Sequence, residues 1–357
     1  MALARIEWSQ IRNLEATALT PVPGINLIVG ANGSGKTSLL ECIHLLSRAR
    51  SFQTTLVNQL IRHGSADARV NGKISDKTGL QHTVGIQLSR SERTLHLDGQ
   101  KIASSVELLR TFPVLVISPA STSLLKEGPK QRRQFLDFGV FYETATFLEA
   151  WRRYMKVLNQ RNTLLREKQA KELEPWNLEL DRYGTMIAEI RQRYALRLEP
   201  LLKETAAHFL PSFQRFELKT TPGWNEQKTL IQTLQNETSA DLRYGYTQSG
   251  PHRGDFSLNV DGRSARAYLS RGQTKLLIYA LLLAQSRLME ESATLYSGCV
   301  LIDDIASELD DKNRSRLLSF LGERKSQFFI TATESTGLVS HFHRLAELDQ
   351  GQIKPGV

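Results

Sequence analysis

The stretch Gly30-Ala31-Asn32-Gly33-Ser34-Gly35-Lys36-Thr37 constrains this chain more than any other. Its spacing is G-x-x-x-x-G-K-[ST]. It follows the apolar run Asn26–Val29 and leads into the helical run Ser38–Leu46, the strand–loop–helix context that the pattern requires. The glycines let backbone amides wrap closely around phosphate groups, and the following helix N-terminus adds positive field. Lys36 can reach β- and γ-phosphates, and the Thr37 hydroxyl can ligate Mg²⁺. The motif predicts an α/β P-loop fold.

A phosphate-bound Mg²⁺ also needs a carboxylate at the end of a neighbouring strand. Cys299-Val-Leu-Ile-Asp303-Asp304 offers four apolar residues and then two acids. Asp303 is the expected Mg²⁺-side carboxylate. Asp304 can act as general base or orient an attacking water. A third element, Leu269-Ser270-Arg271-Gly272-Gln273, resembles the signature motif of ABC-type ATPases, with Arg271 where glycine is usual. Ser307-Glu308-Leu309-Asp310 looks like their D-loop. In that class Ser270, Gly272 and Gln273 would open a helix and contact the nucleotide held by the opposite protomer. ATP would then be sandwiched between two copies.

The ends of the chain read as strands. Ala2–Trp8, Ile25–Val29, Arg69–Ser75, His82–Leu88 and Arg93–Leu97 are strand-like, with Asp98-Gly99 as a turn. Later, Asp255–Val260, Asp261-Gly262 and Arg263–Leu269 read as a hairpin. Leu276–Arg287 reads as an apolar helix, and Gly298–Ile302, Phe328–Thr331 and Leu345–Ile353 as strands. Between them the period changes. Leu148, Trp151, Met155, Leu158, Asn162 and Leu165 form one heptad-like seam; Leu180, Tyr183, Ile187, Ile190 and Tyr194 form another. Pro175 suits the first turn of the second helix. The pattern fits either a projecting hairpin arm, reaching about 40 Å, or a compact lobe. We expect an ATPase head from 1–118 and 247–357, and a helical lobe from 119–246.

The long interval between Gly35 and Ser270 resembles the SMC-type branch of ABC ATPases, which acts on DNA. Four stretches narrow this: Ala49-Arg50-Ser51-Phe52, Glu127–Asp137, Ser249-Gly-Pro-His252-Arg253-Gly-Asp255, and Asp303–Asp310. Together, in this order, they resemble the bacterial RecF family of DNA repair and replication proteins, essentially along the whole chain. The resemblance implies an ABC/SMC-type P-loop head with a helical second lobe and an ATP- and Mg²⁺-dependent dimer that binds DNA. It also implies action with RecO and RecR at single-strand gaps, favouring RecA loading, SOS induction and replication restart, and a slow ATPase used as a switch. The sequence departs from the family after Pro119, where Ala120 and Ser121 replace an acidic pair. Thr331-Ala332-Thr333 stands where transporter ATPases commonly carry a histidine.

The formal net charge of +9 favours a polyanionic partner. Candidate DNA contacts are Arg48 and Arg50; Lys126, Lys130, Arg132 and Arg133; and Arg152, Arg153, Lys156 and Arg161. A recognition helix or zinc-finger pattern is not evident, so readout of base sequence is not expected. For His252 and Arg253 a structural brace stands beside a functional role. Cys42 and Cys299 read as buried apolar residues. The apolar runs are too short to span a bilayer and a signal peptide is not evident, so the cytoplasm is the expected compartment and membranes are not expected partners. The alternative function is an ABC-type subunit coupled to transport, which predicts a short insertion and a membrane partner.

Overall fold

The computed structural model describes residues 2–76, 78–292, 298–334 and 342–354. From the N-terminus the chain forms β1 (Ala2–Ser9), β2 (Thr17–Leu19), β3 (Ile25–Val29) and α1 (Lys36–Arg48). The meander β4 (Asp67–Ser75), β5 (Gln81–Ser89), β6 (Arg93–Leu97) and β7 (Gln100–Ile102) follows, then α2 (Ser105–Thr111) and β8 (Val114–Ile117). The middle carries α3 (Ser123–Lys126), α4 (Pro129–Glu143), α5 (Phe147–Arg166), α6 (Glu174–Phe209), β9 (Phe216–Thr221), α7 (Leu230–Asn236), α8 (Thr238–Tyr244), β10 (Asp255–Val260), β11 (Arg263–Ser264) and α9 (Ala265–Tyr268). The chain ends with α10 (Arg271–Ser292), β12 (Cys299–Ile302), α11 (Ile305–Glu308), α12 (Asp311–Gly322), β13 (Gln327–Ala332), β14 (Arg344–Asp349) and β15 (Gln352–Lys354).

Two compact units result: Met1–Thr122 with Lys275–Val357, and Ser123–Thr274. In the first, the head, one sheet is antiparallel in the order β2-β1-β4-β5-β6-β7. The other, β15-β14-β3-β13-β12-β8, is parallel except at β15. Strands β3, β12 and β13 are buried at every position, as a parallel sheet covered on both faces requires. Helix α1 is buried nearly all round, and its apolar residues join both sheets in one core. Gly72 makes room for it, because a Cβ there would meet Leu46. The turn Asp98-Gly99 has both residues left-handed (φ +51° and +79°), matching the twist of a two-residue hairpin. Cys42 and Cys299 are buried free thiols, as expected. No helix among the described residues is long and apolar enough to cross a membrane.

The second unit is built on a helical hairpin. Arg161 meets Asn177, Arg153 meets Tyr183 and Trp151 meets Arg191, so partners on α6 move forward as those on α5 move back. The α6 seam is buried as expected, and Pro175 lies in its first turn. The α5 seam is met at Leu158 and Leu165, but elsewhere the buried positions fall one residue earlier than expected. Its buried positions are Phe147, Ala150, Tyr154, Val157, Leu158, Arg161 and Leu165. The expected seam took Trp151, Met155 and Asn162 for core because apolar character alone set the phase. In the structure Tyr154 and Arg161 point inward because polar partners await them. α6 also packs against α4, α7 and β9, so the hairpin is part of a compact lobe.

Two boundaries differ from those expected. Residues 119–122 stay with the head, and 247–274 belong to the second unit. Strand pairing is the reason for the latter: β10 lies against β9 from Asp255–Thr221 to Val260–Phe216. The expected strand Arg263–Leu269 also ends early, at Ser264, and continues as the short helix α9. Arg266, Ala267 and Tyr268 are exposed, so a longer strand would have no apolar face to bury.

Arginines hold this unit together. Arg161, fully buried, donates to Asn177 Oδ1, Asp241 Oδ2 and Thr247 Oγ1, each at 2.7 Å. Arg132 makes a bidentate pair with Asp255, and Arg191 does so with Asp137. Arg133 and Arg191 donate to the carbonyls of Gly254 (2.9 Å) and Pro251 (2.6 Å). His252 Nε2 lies 3.2 Å from the Thr247 carbonyl, which requires its proton there, so Nδ1 accepts from the Tyr154 hydroxyl at 2.6 Å. His252 is therefore a brace, and Arg253 stacks over Tyr246.

R161M is expected to cost about 3–5 kcal/mol in denaturant unfolding, because Asp241 stays buried without its counter-charge. Adding D241N should regain part of that loss. Burial lowers the His252 pKa to about 4, with Arg253, Arg133 and Arg191 adding to the effect. Its contribution is present above the ordinary value near 6.5 and is lost as pH falls from there toward 4, about 3 kcal/mol in full. H252Q, which keeps an acceptor and a donor, should flatten this part of the stability–pH profile.

Candidate nucleotide site

The loop from Gly30 to Gly35 joins the end of β3 to the start of α1. Gly33 and Gly35 have φ of +79° and +109°, a conformation that side-chain-bearing residues rarely adopt. A Cβ on Gly30 would run into the Leu348 carbonyl and Ser34 Oγ. Lys36 Nζ donates to the carbonyls of Gly30 (2.7 Å) and Ala31 (3.0 Å), so the loop curls around its own ammonium. Burial lowers the Lys36 pKa, while Asp304 and Asp303 oppose that shift. Ser34 Oγ is buried within the loop, beside Gly30, without a hydrogen-bond partner among the described residues.

Sheet order brings the carboxylates to this loop. β13 lies between β3 and β12, so the C-terminal ends of all three strands sit side by side. Thr37 Oγ1 donates to Asp303, 3.1 Å from both carboxylate oxygens. Thr331, on β13, donates to Asp303 Oδ1 at 2.8 Å and accepts the Asp304 amide at 2.7 Å. Asp303 is buried, and burial raises its pKa despite the Thr331 and Thr37 bonds and Lys36; Asp304 raises it further. Asp304 has φ +56°, a left-handed residue at the strand-to-helix corner that opens α11. This position is strained for a side-chain-bearing residue, and it directs the chain out of the sheet beside the loop.

The cleft between these parts has a volume of about 490 Å³. Asn32, Gly33, Gly35, Lys36, Thr37, Asp303 and Asp304 line it, so the phosphate loop and the acid pair expected to act together do meet. Arg12, Asn13 and Ser38 also line it and were missed from sequence. Asn13 donates to the Gly33 carbonyl at 2.9 Å, and Arg12 pairs with the buried Glu41 at 2.6 Å. Neither lies in a local pattern; only the approach of the β1–β2 connection to the loop reveals them. Thr331 was noticed only for not being histidine, and its role in fixing both acids was missed.

The residues fit a magnesium-bound phosphate chain. Two ligands at adjacent corners of an octahedron with 2.1 Å bonds lie about 3.0 Å apart, close to the Thr37–Asp303 separation. Thr37 and Asp303 would hold Mg²⁺, which would neutralise phosphate charge. Gly30–Lys36 would hold phosphate oxygens through amides and the ammonium. Asp304 also lines the cleft, near the Lys36 ammonium. No cluster of three or more His, Cys, Asp or Glu suited to a metal occurs among the described residues.

Ser270, Gly272 and Gln273 lie in the second unit and open α10. Ser270 Oγ accepts the Gln273 amide at 3.3 Å, and Gln273 Oε1 accepts the Ser270 amide at 2.9 Å, a reciprocal capping box. Ser270 and Gly272 are exposed, and among the described residues no atom beyond the adjoining residues and the helix's own backbone lies within 4 Å of where a Gly272 Cβ would stand. The helix start is thus an open surface. In the D-loop-like stretch Glu308 pairs with Lys275 at 3.0 Å, and Asp310 caps α12 through the Asn313 amide. The Ser307 side chain lies outside the described residues.

The profile of the RecF/RecN/SMC N-terminal domain family matches residues 2–352. This chain belongs to the RecF family. Proteins from Shewanella baltica and Shewanella putrefaciens, each called DNA replication and repair protein RecF, are 39% and 38% identical to it, covering 99% of both chains in each case. A solved structure of the recombination mediator protein RecF with ATP, from the RecFOR pathway, superposes with a TM-score of 0.87 at 27% identity, over 99% of this chain and 96% of that one. The Smc head domain of Pyrococcus furiosus shares the fold at TM-score 0.62 and 15% identity, over 99% of this chain and 95% of that one. The ABC/SMC-type head with a helical second lobe is the fold of this chain.

The structure sorts the basic candidates. Arg161 is withdrawn as a DNA contact, since it is buried and paired with Asp241. Arg132 is withdrawn too: both its forked nitrogens hold Asp255 and the third holds backbone carbonyls. Arg133 is partly engaged by Gly254. Arg153 is exposed but bonded to Glu149 at 2.8 Å. Lys126, Lys130, Arg152, Lys156 and Arg50 are exposed, and Arg48 is half-buried at the end of α1.

D303N removes a carboxylate whose ionised form burial penalises. A raised carboxylate pKa costs stability once pH exceeds the ordinary value, so at pH 7.5 the nucleotide-free D303N protein should melt about 2 °C higher than wild type in calorimetry. The further rise that Mg²⁺–ATP produces in wild type should be absent.

Proposed function

We propose that this chain is an ATP-dependent DNA-binding protein of replication and recombinational repair, with ATP as a dimerisation switch. The observation that carries this reading is Asp303 held between Thr37 and Thr331 at the mouth of the phosphate loop. With the loop, Asp303 would serve as the cation-side carboxylate and Asp304 would orient the attacking water, the parts that slow ATP hydrolysis needs. The relatives' role in DNA replication and repair, and the ATP in the RecF structure, support the same reading.

ATP would bind one protomer through Gly30–Thr37, with Mg²⁺ at Thr37 and Asp303. The exposed start of α10 on a second protomer would close over the γ-phosphate. There Ser270, Gly272 and Gln273 would present a hydroxyl, an unobstructed backbone and a helix N-terminus to negative charge. Closure would need the third phosphate, and hydrolysis would reopen the dimer. Action at single-strand gaps with RecO and RecR, promoting RecA loading and SOS induction in the cytoplasm, is the biological setting we infer from the family.

K36A is expected to lower ATP affinity by about 100-fold or more, read by fluorescent-nucleotide titration. S270D tests the sandwich separately. Aspartate retains the helix cap but places a negative charge where the γ-phosphate would dock. By analytical ultracentrifugation, S270D should bind ATP and remain monomeric while wild type dimerises. An ATP-dependent dimer of S270D with wild-type affinity would refute the sandwich.

A further inference from the structure

The second unit presents two tyrosine rings to solvent on one short segment. Tyr244, the last residue of α8, is 50% exposed, and Tyr246, two residues on, is 41% exposed. Their ring centroids lie 6.0 Å apart. A guanidinium lies over each ring: Arg243 at 4.7 Å from the Tyr244 centroid, and Arg253 at 5.4 Å from that of Tyr246. Arg243 also donates to the Tyr244 hydroxyl at 2.6 Å. Two further cations border the segment. Lys168 Nζ donates to the Leu242 carbonyl, and the Arg166 side chain passes beside Gly245. All four cations are exposed, and among the described residues none of them pairs with a carboxylate.

One buried side chain holds this segment at both ends. Arg161 donates to Asp241, before it, and to Thr247, after it. Asp241 Oδ1 accepts the Gln248 amide at 3.1 Å, and Asn162 Oδ1 accepts the Thr247 amide and hydroxyl, each at 2.8 Å. Between these anchors Gly245, with φ +76°, is the left-handed cap of α8, and its amide returns to the Asp241 carbonyl at 2.7 Å. The backbone that carries the rings is thus fixed before any ligand arrives. Each tyrosine has only two side-chain torsions left to order on contact. A lone exposed ring is ordinary. Two rings in contact, each faced by a guanidinium on a pinned backbone, make a surface.

We propose that Tyr244 and Tyr246 form a stacking platform for unpaired bases of a single nucleic-acid strand, with Arg243 and Arg253 on its phosphates. Every base has a π-face, so such rings hold a strand without reading its sequence, while a basic border follows the backbone. Along a duplex the bases stack on one another and offer no free face, so the occupant is a single strand. The centre of a protein-binding patch is depleted of charge, whereas these rings alternate with cations, as a polyanion requires. The formal charge of +9 agrees with that choice. The inference rests on the DNA-binding reading above and adds to it the surface that takes the unpaired strand.

The test uses the full chain with saturating Mg²⁺–ATP, a labelled oligothymidylate of about 25 nucleotides and a blunt duplex of equal length, across a salt series. Y244A and Y246A should each bind the single strand about tenfold more weakly, with the log–log salt slope unchanged, and bind the duplex as wild type does. R243Q should also weaken single-strand binding, with a slope shallower by about 0.7. Y246W, which keeps a stacking face, should restore what Y246A loses. Single-strand binding that neither alanine variant weakens, or wild-type binding to duplex alone, would overturn the platform and leave the DNA reading standing. A wild-type chain that binds neither would remove both. If the alanine variants melt lower or lose the ATP-dependent dimer, a strand carrying iodouracil is cross-linked to the wild-type chain and mapped by mass spectrometry. Cross-links at Tyr244 or Tyr246 would support the platform. Cross-links confined to other residues would assign the rings to a protein contact and overturn it.

Discussion

A carboxylate buried at the end of an apolar strand is unfavourable unless other groups hold it, and the head is arranged around holding one. Asp303 ends β12, receives hydroxyl bonds from Thr37 on α1 and Thr331 on β13, and stands near the Lys36 ammonium. Each partner comes from a different element, so the site exists only if β3, β13 and β12 lie in that order. The sheet supplies the order, and the two-sided burial of α1 supplies the depth. The penalty on the ionised acid persists, as the upward shift of its pKa shows. A divalent cation bound beside the carboxylate would relieve that penalty.

The second unit uses charge differently. Its arginines do structural work: Arg132, Arg161 and Arg191 each hold a carboxylate, and Arg133 and Arg191 hold the carbonyls of the stretch around His252. Pairs of this kind lock a conformation more than they stabilise it, because desolvation offsets much of the attraction. The basic composition of the chain therefore overstates the positive charge available to a partner. Exposed basic residues remain on helices, among them Lys126, Lys130, Arg152 and Lys156, and elsewhere on strands.

Ser270 and Gln273 show how one small motif serves two demands. Their reciprocal bonds satisfy the first amides of α10, which any exposed helix start needs. The same bonds orient the hydroxyl and leave the helix N-terminus facing solvent. A substitution that removes the cap would disturb both folding and any contact made there, so only a cap-preserving change separates them.

The sequence by itself determined the parts that are local. Gly30–Thr37 carries its conformation in its glycines, Cys299–Ile302 reads as a buried strand by composition, and Asp98-Gly99 specifies its turn. The family is legible because several such local motifs occur in one order. Only the tertiary structure decided which polar residues turn inward. Arg161 looks like a surface residue until Asp241, eighty positions away in sequence, is found beside it, and with that pairing Arg161 rather than Asn162 is buried on α5. Likewise Arg12, Asn13 and Thr331 join the nucleotide cleft through contacts between distant strands. Periodicity reports which face of an element is apolar; it cannot report a polar partner supplied from elsewhere, whose energy depends on distance and burial in the folded chain.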